Sequence, residues 1–168
     1  MNYTASYDTT TKIVTPAVII LVSASLVPLF IVRTKEAGWI PFIVLLTVII
    51  LLAVSAARAP KSYSIDDGYI YINRLLMPPV KIAIANVLSV ELVPKQQLKG
   101  SLRLFGSGAF FGYYGIFISK KLGRMKWFAT NLDNAVFIKT HDGKKYLLTP
   151  DERDPFIRTI QNGIKKAA

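Results

Sequence analysis

IVTPAVIILVSASLVPLFIV (residues 13–32) and GWIPFIVLLTVIILLAVSAA (residues 38–57) decide the architecture of this chain. Each run is twenty residues long and uncharged, and only Arg33, Thr34, Lys35, Glu36 and Ala37 separate them. A helix rises about 1.5 Å per residue, so each run matches a hydrocarbon core about 30 Å thick. The first run holds thirteen Leu, Ile, Val or Phe residues and the second twelve. At about −0.3 to −0.6 kcal/mol for each, either run favours insertion by about −4 to −8 kcal/mol, before Pro, Ser and Thr are set against it. The expectation is a transmembrane helical hairpin over residues 13–57.

Two alternatives compete. A cleaved signal peptide would account for the first run, but the leader carries Asp8 as well as Lys12. The run also exceeds an ordinary signal core, and Ser23-Ala24-Ser25 lies in mid-run, a poor cleavage site. A buried soluble hairpin would need more surrounding protein than this chain offers, because its helices are apolar all round. Pro16 and Pro41 are expected in first turns, where a missing N–H is harmless. Pro28 is interior and cannot bond the carbonyl of Ala24. A kink is expected there, with Ser25 or a neighbouring helix satisfying the freed oxygen. Trp39, Tyr3 and Tyr7 sit at or beyond the run ends, where aromatic rings favour the water interface. Two crossings put both termini on one side. Lys12, Arg58, Lys61 and Arg74 lie there, against Arg33 and Lys35 in the connector, so the positive-inside count of four to two favours a cytoplasmic domain. Arg33, Lys35, Trp39 and Arg58 are the expected membrane-interface residues.

Beyond a leader (residues 1–12), the hairpin (13–57) and a linker (58–61), residues 62–168 suffice for one domain with its own core. The chain has no cysteine, which excludes disulfides, thiolate metal sites and cysteine nucleophiles. Net charge is +11, and residues 58–168 hold 18 Lys and Arg against 8 Asp and Glu, or +10 of it. A basic domain at a bilayer is drawn to anionic headgroups by about 1 kcal/mol per nearby Lys or Arg. Nucleic acid is the other usual partner of such charge. A plain solvated surface is the third reading.

Ala59-Pro60 ends the second helix. Residues 62–66 and 69–74 flank Asp67-Gly68, a strong hairpin signal, with Ile65, Ile70 and Ile72 facing inward by alternation. Met77-Pro78-Pro79 is a rigid turn. Val80, Ile82 and Ile84 alternate along the next strand, and residues 87–93 form another, with Val90 and Leu92 prominent. Residues 95–102 read as a polar, basic loop. RLFGSGAFFGYYG (residues 103–115) follows, with four glycines among Phe105, Phe110, Phe111, Tyr113 and Tyr114. It is too glycine-rich for a helix, and it lacks the flanking helix and Lys of a phosphate-cradling loop. Two readings stand. It is a bulged or irregular connection whose aromatics fill the core, or an aromatic rim that dips into the bilayer interface or grips a partner. Further strands fall at residues 115–119, 125–130 with Trp127, 135–140 and 145–149. A terminal helix follows, capped by Asp154 with Pro155 first. Its stripe is Phe156, Ile157, Ile160 and Ile164, and Gly163 weakens its last turn.

Seven or eight antiparallel strands in a sandwich or barrel, closed by one C-terminal helix, is the order of elements in pleckstrin-homology (PH) domains. Particular residues extend the likeness. Arg103-Leu104-Phe105-Gly106, Phe111-Gly112-Tyr113 with Gly115, Trp127-Phe128-Ala129-Thr130, the strand at residues 136–138, and Asp142-Gly143-Lys144-Lys145 before Thr149-Pro150 resemble the PH-like domains of small membrane-anchored bacterial proteins. The resemblance covers about residues 62–166. It implies an α+β PH-like barrel behind the helical hairpin, in the bacterial inner membrane. The basic phosphoinositide motif of eukaryotic PH domains is missing, since residues 62–74 hold only Arg74 as a base. Inositol-lipid recognition is not implied.

No catalytic pattern stands out. His141 is the lone histidine, placed in a turn, and the carboxylates cluster only at a turn and a helix start. No nucleophile sits beside a base in a known motif. No cofactor, metal or nucleic-acid partner is expected. Lys120, Lys121, Arg124 and Lys126 surround one hairpin, and Lys95, Lys99 and Arg103 form a second basic stretch. Both are candidate lipid- or partner-facing groups, or solvated loops. The preferred reading is a membrane-anchored, non-catalytic module binding a protein partner or itself, with anionic lipid headgroups as a further ligand. The alternative is an assembly or stabilising subunit of a larger membrane complex, and an enzyme stands last.

Overall fold

The computed structural model describes residues 1–31 and 38–167. The expected interfacial Arg33 and Lys35 lie outside the described residues. Helix α1 (Thr9–Ile31) and helix α2 (Ile40–Arg58) are both long and apolar enough to cross a membrane, and their side chains are hardly buried by the rest of the protein. The start of α1 and the end of α2 meet the same hairpin of the domain, so the two helices run in opposite directions. Pro41 falls in the first turn of α2, as expected. Pro16 does not fall in a first turn, because α1 begins at Thr9 and places it inside the helix. The helix also continues through Pro28, and the Ser25 hydroxyl donates to the Val22 carbonyl at 2.7 Å rather than to that of Ala24.

A four-stranded antiparallel sheet runs β1 (Asn2–Thr4), β2 (Pro60–Asp66), β3 (Tyr69–Arg74), β4 (Val80–Ala83). The second sheet has six strands, β5 (Val87–Leu92), β6 (Leu102–Ala109), β7 (Gly112–Ser119), β8 (Gly123–Ala129), β9 (Val136–Thr140) and β10 (Lys145–Leu148), in the order β5-β9-β10-β8-β7-β6. A short helix α3 (Lys95–Leu98) and the terminal helix α4 (Arg153–Ala167) complete the domain. The expected sandwich is present, larger than the seven or eight strands read from the sequence, and β8 pairs with β10 in parallel.

Asp67 and Gly68 both take positive φ, as a two-residue hairpin turn requires, and join β2 to β3 in the expected register, Ile65 opposite Ile70. Ile65, Ile70 and Ile72 are buried in the core between the sheets. Across from them lie Val87, Val90, Val136, Ile138 and Leu148, and α4 adds Phe156 and Ile160. Alternation sends the intervening residues the other way. Phe137 and Leu147 join Phe117, Met125 and Trp127 in a second core on the outer face of the larger sheet. That is why residues 136–138 and 146–148 are continuous apolar runs, being buried on both faces. Trp127 stacks on Phe117, ring centres 4.0 Å apart and 10° from parallel.

Several expectations change. The leader is partly strand: β1 pairs with β2, Tyr3 opposite Tyr63. Residues 95–102 are no simple loop, because α3 buries Leu98 under the second core. Leu92, expected to be prominent, is exposed. The glycine-aromatic segment is no irregular connection but two long paired strands, β6 and β7, with one register shift between Arg103 and Phe105. Helix α4 begins at Arg153, so Asp154 lies in its first turn rather than capping it. Gly163 has a packing reason, since a Cβ there would lie 2.9 Å from the Ile84 side chain.

The Asp151 carboxyl fastens the N-terminal segment to the residues before α4, and the Tyr63 phenol bonds within the domain. Asp151 accepts from the Thr4 hydroxyl at 2.7 Å and from the Ser6 amide and hydroxyl. Burial works against its charge, but the Thr4 and Ser6 hydrogen bonds together outweigh it and keep the carboxyl below its ordinary range. Tyr63 is fully buried, and burial pushes its phenol up to about 12.

Candidate functional site

The densest polar contacts outside the sheets lie where α1 and α2 meet the β6–β7 hairpin. Asp8 starts α1. Its side chain accepts from the Thr11 amide at 2.7 Å, an N-terminal cap, and its carbonyl accepts from Lys12 at 3.0 Å. The same carboxyl accepts from the Tyr113 hydroxyl of β7 at 3.0 Å, and the Asp8 amide donates to the Thr130 carbonyl at 3.1 Å. One residue therefore caps the helix and fastens it to the larger sheet. Burial first, and the Asp8 carboxyl second, push the Tyr113 phenol up to about 12.

The turn of the hairpin docks one helical turn and more further along α1. The Phe111 amide donates to the Thr15 hydroxyl at 3.0 Å, while Ala109 and Phe111 hold positive φ that ordinary side chains seldom adopt. Tyr114, on the opposite face of β7, donates to the Ser55 carbonyl of α2 at 2.7 Å. At the end of α2, the Leu75 amide donates to the Ala59 carbonyl at 3.2 Å, tying β3 to the helix terminus.

Beside these contacts lies a half-open cavity of about 520 Å³. Arg58 of α2, Arg74 of β3 and Arg103 of β6 line it, with Val18 and Val54 of the helices and Phe105, Phe110, Tyr114 and Phe128 of the sheet. Among the described residues, no carboxylate lines it. Arg74 is held in place by the Pro78 carbonyl, which accepts from its Nε at 3.0 Å and from its Nη2. The Arg103 side chain lies over Gly108, where a Cβ would meet its Nη1 at 3.4 Å.

The expected basic stretch of Lys95, Lys99 and Arg103 is divided. Lys95 forms an ion pair with Asp133 at 3.0 Å, Lys99 is exposed beside α3, and Arg103 joins Arg58 and Arg74. Lys120 and Lys121 are exposed in the β7–β8 turn. Arg124 and Lys126 line a second cavity of about 300 Å³ with Lys144 and Lys145. Lys144 is engaged with Asp142 at 2.6 Å, and the Lys145 amine donates to the Leu122 carbonyl. Of the aromatics, Tyr114 is buried, Phe110, Phe111 and Tyr113 are half-buried, and Phe105 is 65% exposed. The segment contacts both helices through Phe111 and Tyr114 and leaves Phe105 outward. Trp39 is exposed at the head of α2. His141 is exposed in its turn. Asp8, Thr15 and Ser55 carried no signal in the sequence, since each works through partners tens of residues away.

Two outcomes are expected here. Asp8→Ala removes a helix cap and strands the half-buried Tyr113 hydroxyl, so it should destabilise the protein by about 1–3 kcal/mol. Thermal unfolding in detergent micelles reads this, and an unchanged midpoint contradicts it. Tyr63 and Tyr113 are both raised from 10.0 to about 12, so the folded state favours the neutral phenols. Their contribution is complete below pH 10 and is lost as the pH rises from 10 towards 12. Phenolate absorbance should therefore show Tyr63 and Tyr113 among the late-titrating tyrosines, together with alkaline unfolding.

A family model for the bacterial PH domain matches residues 61–164. No curated protein and no solved structure matches the chain. The match covers well over half of the chain and takes in β2 to β10 and most of α4, which are the two-sheet sandwich and its closing helix. Architecture and family match agree, and the chain belongs to the bacterial PH domain family.

Proposed function

We propose that this protein is a non-catalytic, multi-pass inner-membrane protein. It presents its PH-like domain at a fixed angle on the cytoplasmic surface, for binding a protein segment or a second copy of the chain. Anionic lipid is a further ligand of the same face. The observation that carries this reading is the fastening of the domain to the helices. A simple tether needs only a flexible linker, but here Asp8–Tyr113, Thr15–Phe111 and Ser55–Tyr114 clamp the β6–β7 hairpin to both helices. Such a clamp gives up conformational freedom, which suits a surface that must face one way. The family supplies the other support, since PH domains generally act by binding rather than by catalysis.

The chain is cysteine-free, so orientation is testable with single introduced cysteines. Lys61→Cys and Lys165→Cys should react with a membrane-impermeant maleimide in inside-out vesicles and stay unreacted in spheroplasts. Labelling in spheroplasts overturns the cytoplasmic placement. Cross-linking in native membranes should trap a defined adduct of the full chain, either with itself or with one partner. A chain that remains uncross-linked and monomeric counts against the binding role.

A further inference from the structure

We propose that the cavity between the helices and the β6–β7 hairpin holds the phosphate of an anionic phospholipid, with Arg58, Arg74 and Arg103 on the phosphate and the acyl chains along Val18 and Val54. The proposal rests on reading α1 and α2 as membrane-spanning. Three arginines line one cavity of about 520 Å³, and no carboxylate is among its described lining residues. Such a volume is ordinary for a small-molecule site, and converging positive charges create a local potential that attracts an anion. Among the described residues, the side chains of Arg58 and Arg103 make no ion pair and no hydrogen bond. Arg74 is pre-oriented by the Pro78 carbonyl, which occupies Nε and Nη2 and leaves Nη1 free. Guanidinium forks suit phosphate oxygens, and a pre-oriented fork loses less freedom on binding.

The rest of the wall distinguishes a lipid from a soluble phosphate. Val18 and Val54 belong to the apolar helices, and Phe105 and Phe110 close the sheet side. Beside the arginines in sequence lie Leu75 and Leu76 after Arg74, and Leu102, Leu104 and Phe105 around Arg103. All five are exposed, at 47%, 75%, 69%, 58% and 65%. Exposed apolar side chains flanking two of the three arginines fit a surface lying at headgroup level, where arginine stems stay in the apolar layer and their charged ends meet phosphates. The site takes only Arg74 from the first two strands of the PH-like domain, since residues 62–74 hold no other base, and its other arginines come from α2 and β6.

Native mass spectrometry of the full chain tests this, in mild detergent micelles doped with phosphatidylglycerol or with phosphatidylcholine. One retained phosphatidylglycerol per chain is expected, without comparable retention of phosphatidylcholine. The variant Arg58→Gln/Arg74→Gln/Arg103→Gln should lower retention by at least about tenfold. The charge-matched control Lys120→Gln/Lys121→Gln/Arg124→Gln should retain the lipid. Arg58→Gln alone, at an exposed helix end, should fold normally and lower retention about threefold or more, which keeps the test valid if the triple variant unfolds. Equal retention of both lipids, equal loss in the control, or displacement by excess inorganic phosphate each overturns the proposal. The last result would indicate a soluble anion site. Cysteine labelling reports the membrane reading separately, so a correctly inserted chain that ignores phosphatidylglycerol refutes the lipid site alone.

Discussion

Gly115→Ala should lower stability by about 3 kcal/mol or more and release the β6–β7 hairpin from the helices. Gly115 faces Gly106 across the two strands. A Cβ on Gly115 would lie 2.1 Å from the Phe105 carbonyl oxygen, and one on Gly106 would lie 2.0 Å from that of Tyr114. Both positions also take φ beyond +100°, which L side chains rarely adopt. The obstacle is backbone on each side, so no side chain can swing away to make room. Backbone strain of this kind costs about 1–3 kcal/mol by itself, and the overlap adds to it. A loss near 3 kcal/mol is a large part of the 5–15 kcal/mol typical of whole domains. Gly108→Ala provides the contrast on the same strand. Its Cβ would meet only the mobile end of Arg103, at 3.4 Å, and it has no positive φ. It should change stability by under about 1 kcal/mol. Thermal unfolding of both variants in micelles reads the difference. Equal midpoints would mean that the close approach of β6 and β7 is not what these glycines provide. The same hairpin carries Tyr114 to Ser55 and Phe105 to the arginine cavity, so the Gly115 variant should also lose retained phosphatidylglycerol.

The same segment shows why part of the structure was legible from sequence and part was not. Four glycines among aromatics weigh against regular strands when each glycine is judged by its propensity. The structure uses two of them as a facing pair, and a pair across strands is invisible to a single-chain pattern. Features carried by local sequence were legible. The apolar runs of α1 and α2 follow from their length, the turn at Asp67-Gly68 from its residue pair, and the isoleucines of β2 and β3 and the stripe of α4 from spacing of two or about 3.6 residues. Features carried by distant partners were not. Asn2-Tyr3-Thr4 has no strand signal, yet it pairs with residues 62–64. Asp8 reads as a lone charge in a leader, but its partner hydroxyl is on Tyr113. Leu98 stands among polar residues and is buried because the larger sheet has a second core on its outer face. That core was hidden by the same double burial that gives residues 136–138 and 146–148 their unbroken apolar runs. Arg58, Arg74 and Arg103 belong to three elements, and only the topology brings them to one cavity.

Phe156→Ala is expected to cost about 3–5 kcal/mol, the range for deleting a fully buried phenylalanine ring. Phe156 has no exposed surface and packs between both chain ends. Its ring meets Tyr3 edge-on at 5.0 Å and Tyr63 at 6.0 Å. Tyr63 in turn donates to the Phe128 carbonyl at 2.6 Å and accepts from the Thr149 amide at 3.1 Å, so it cannot move into the space left behind without giving up both bonds. Tyr3 is tied to Thr159 of α4 at 2.9 Å. The cavity should therefore stay largely open, which puts the cost at the upper part of the range. Phe156→Leu keeps most of the volume and should cost about half as much or less. Chemical unfolding in micelles separates the two, and a loss under about 1 kcal/mol for the alanine variant would show that α4 does not close the core. Hydrogen exchange adds a local readout. β1 has only three residues and leans on Tyr3, so amides of residues 2–4 and 62–64 should lose protection before the central strands do. The consequence reaches the membrane side, because β1 leads through Asp8 directly into α1. On the proposed function, a loosened β1 frees one end of the contacts between the helices and the domain, so the alanine variant should also weaken cross-linking in native membranes.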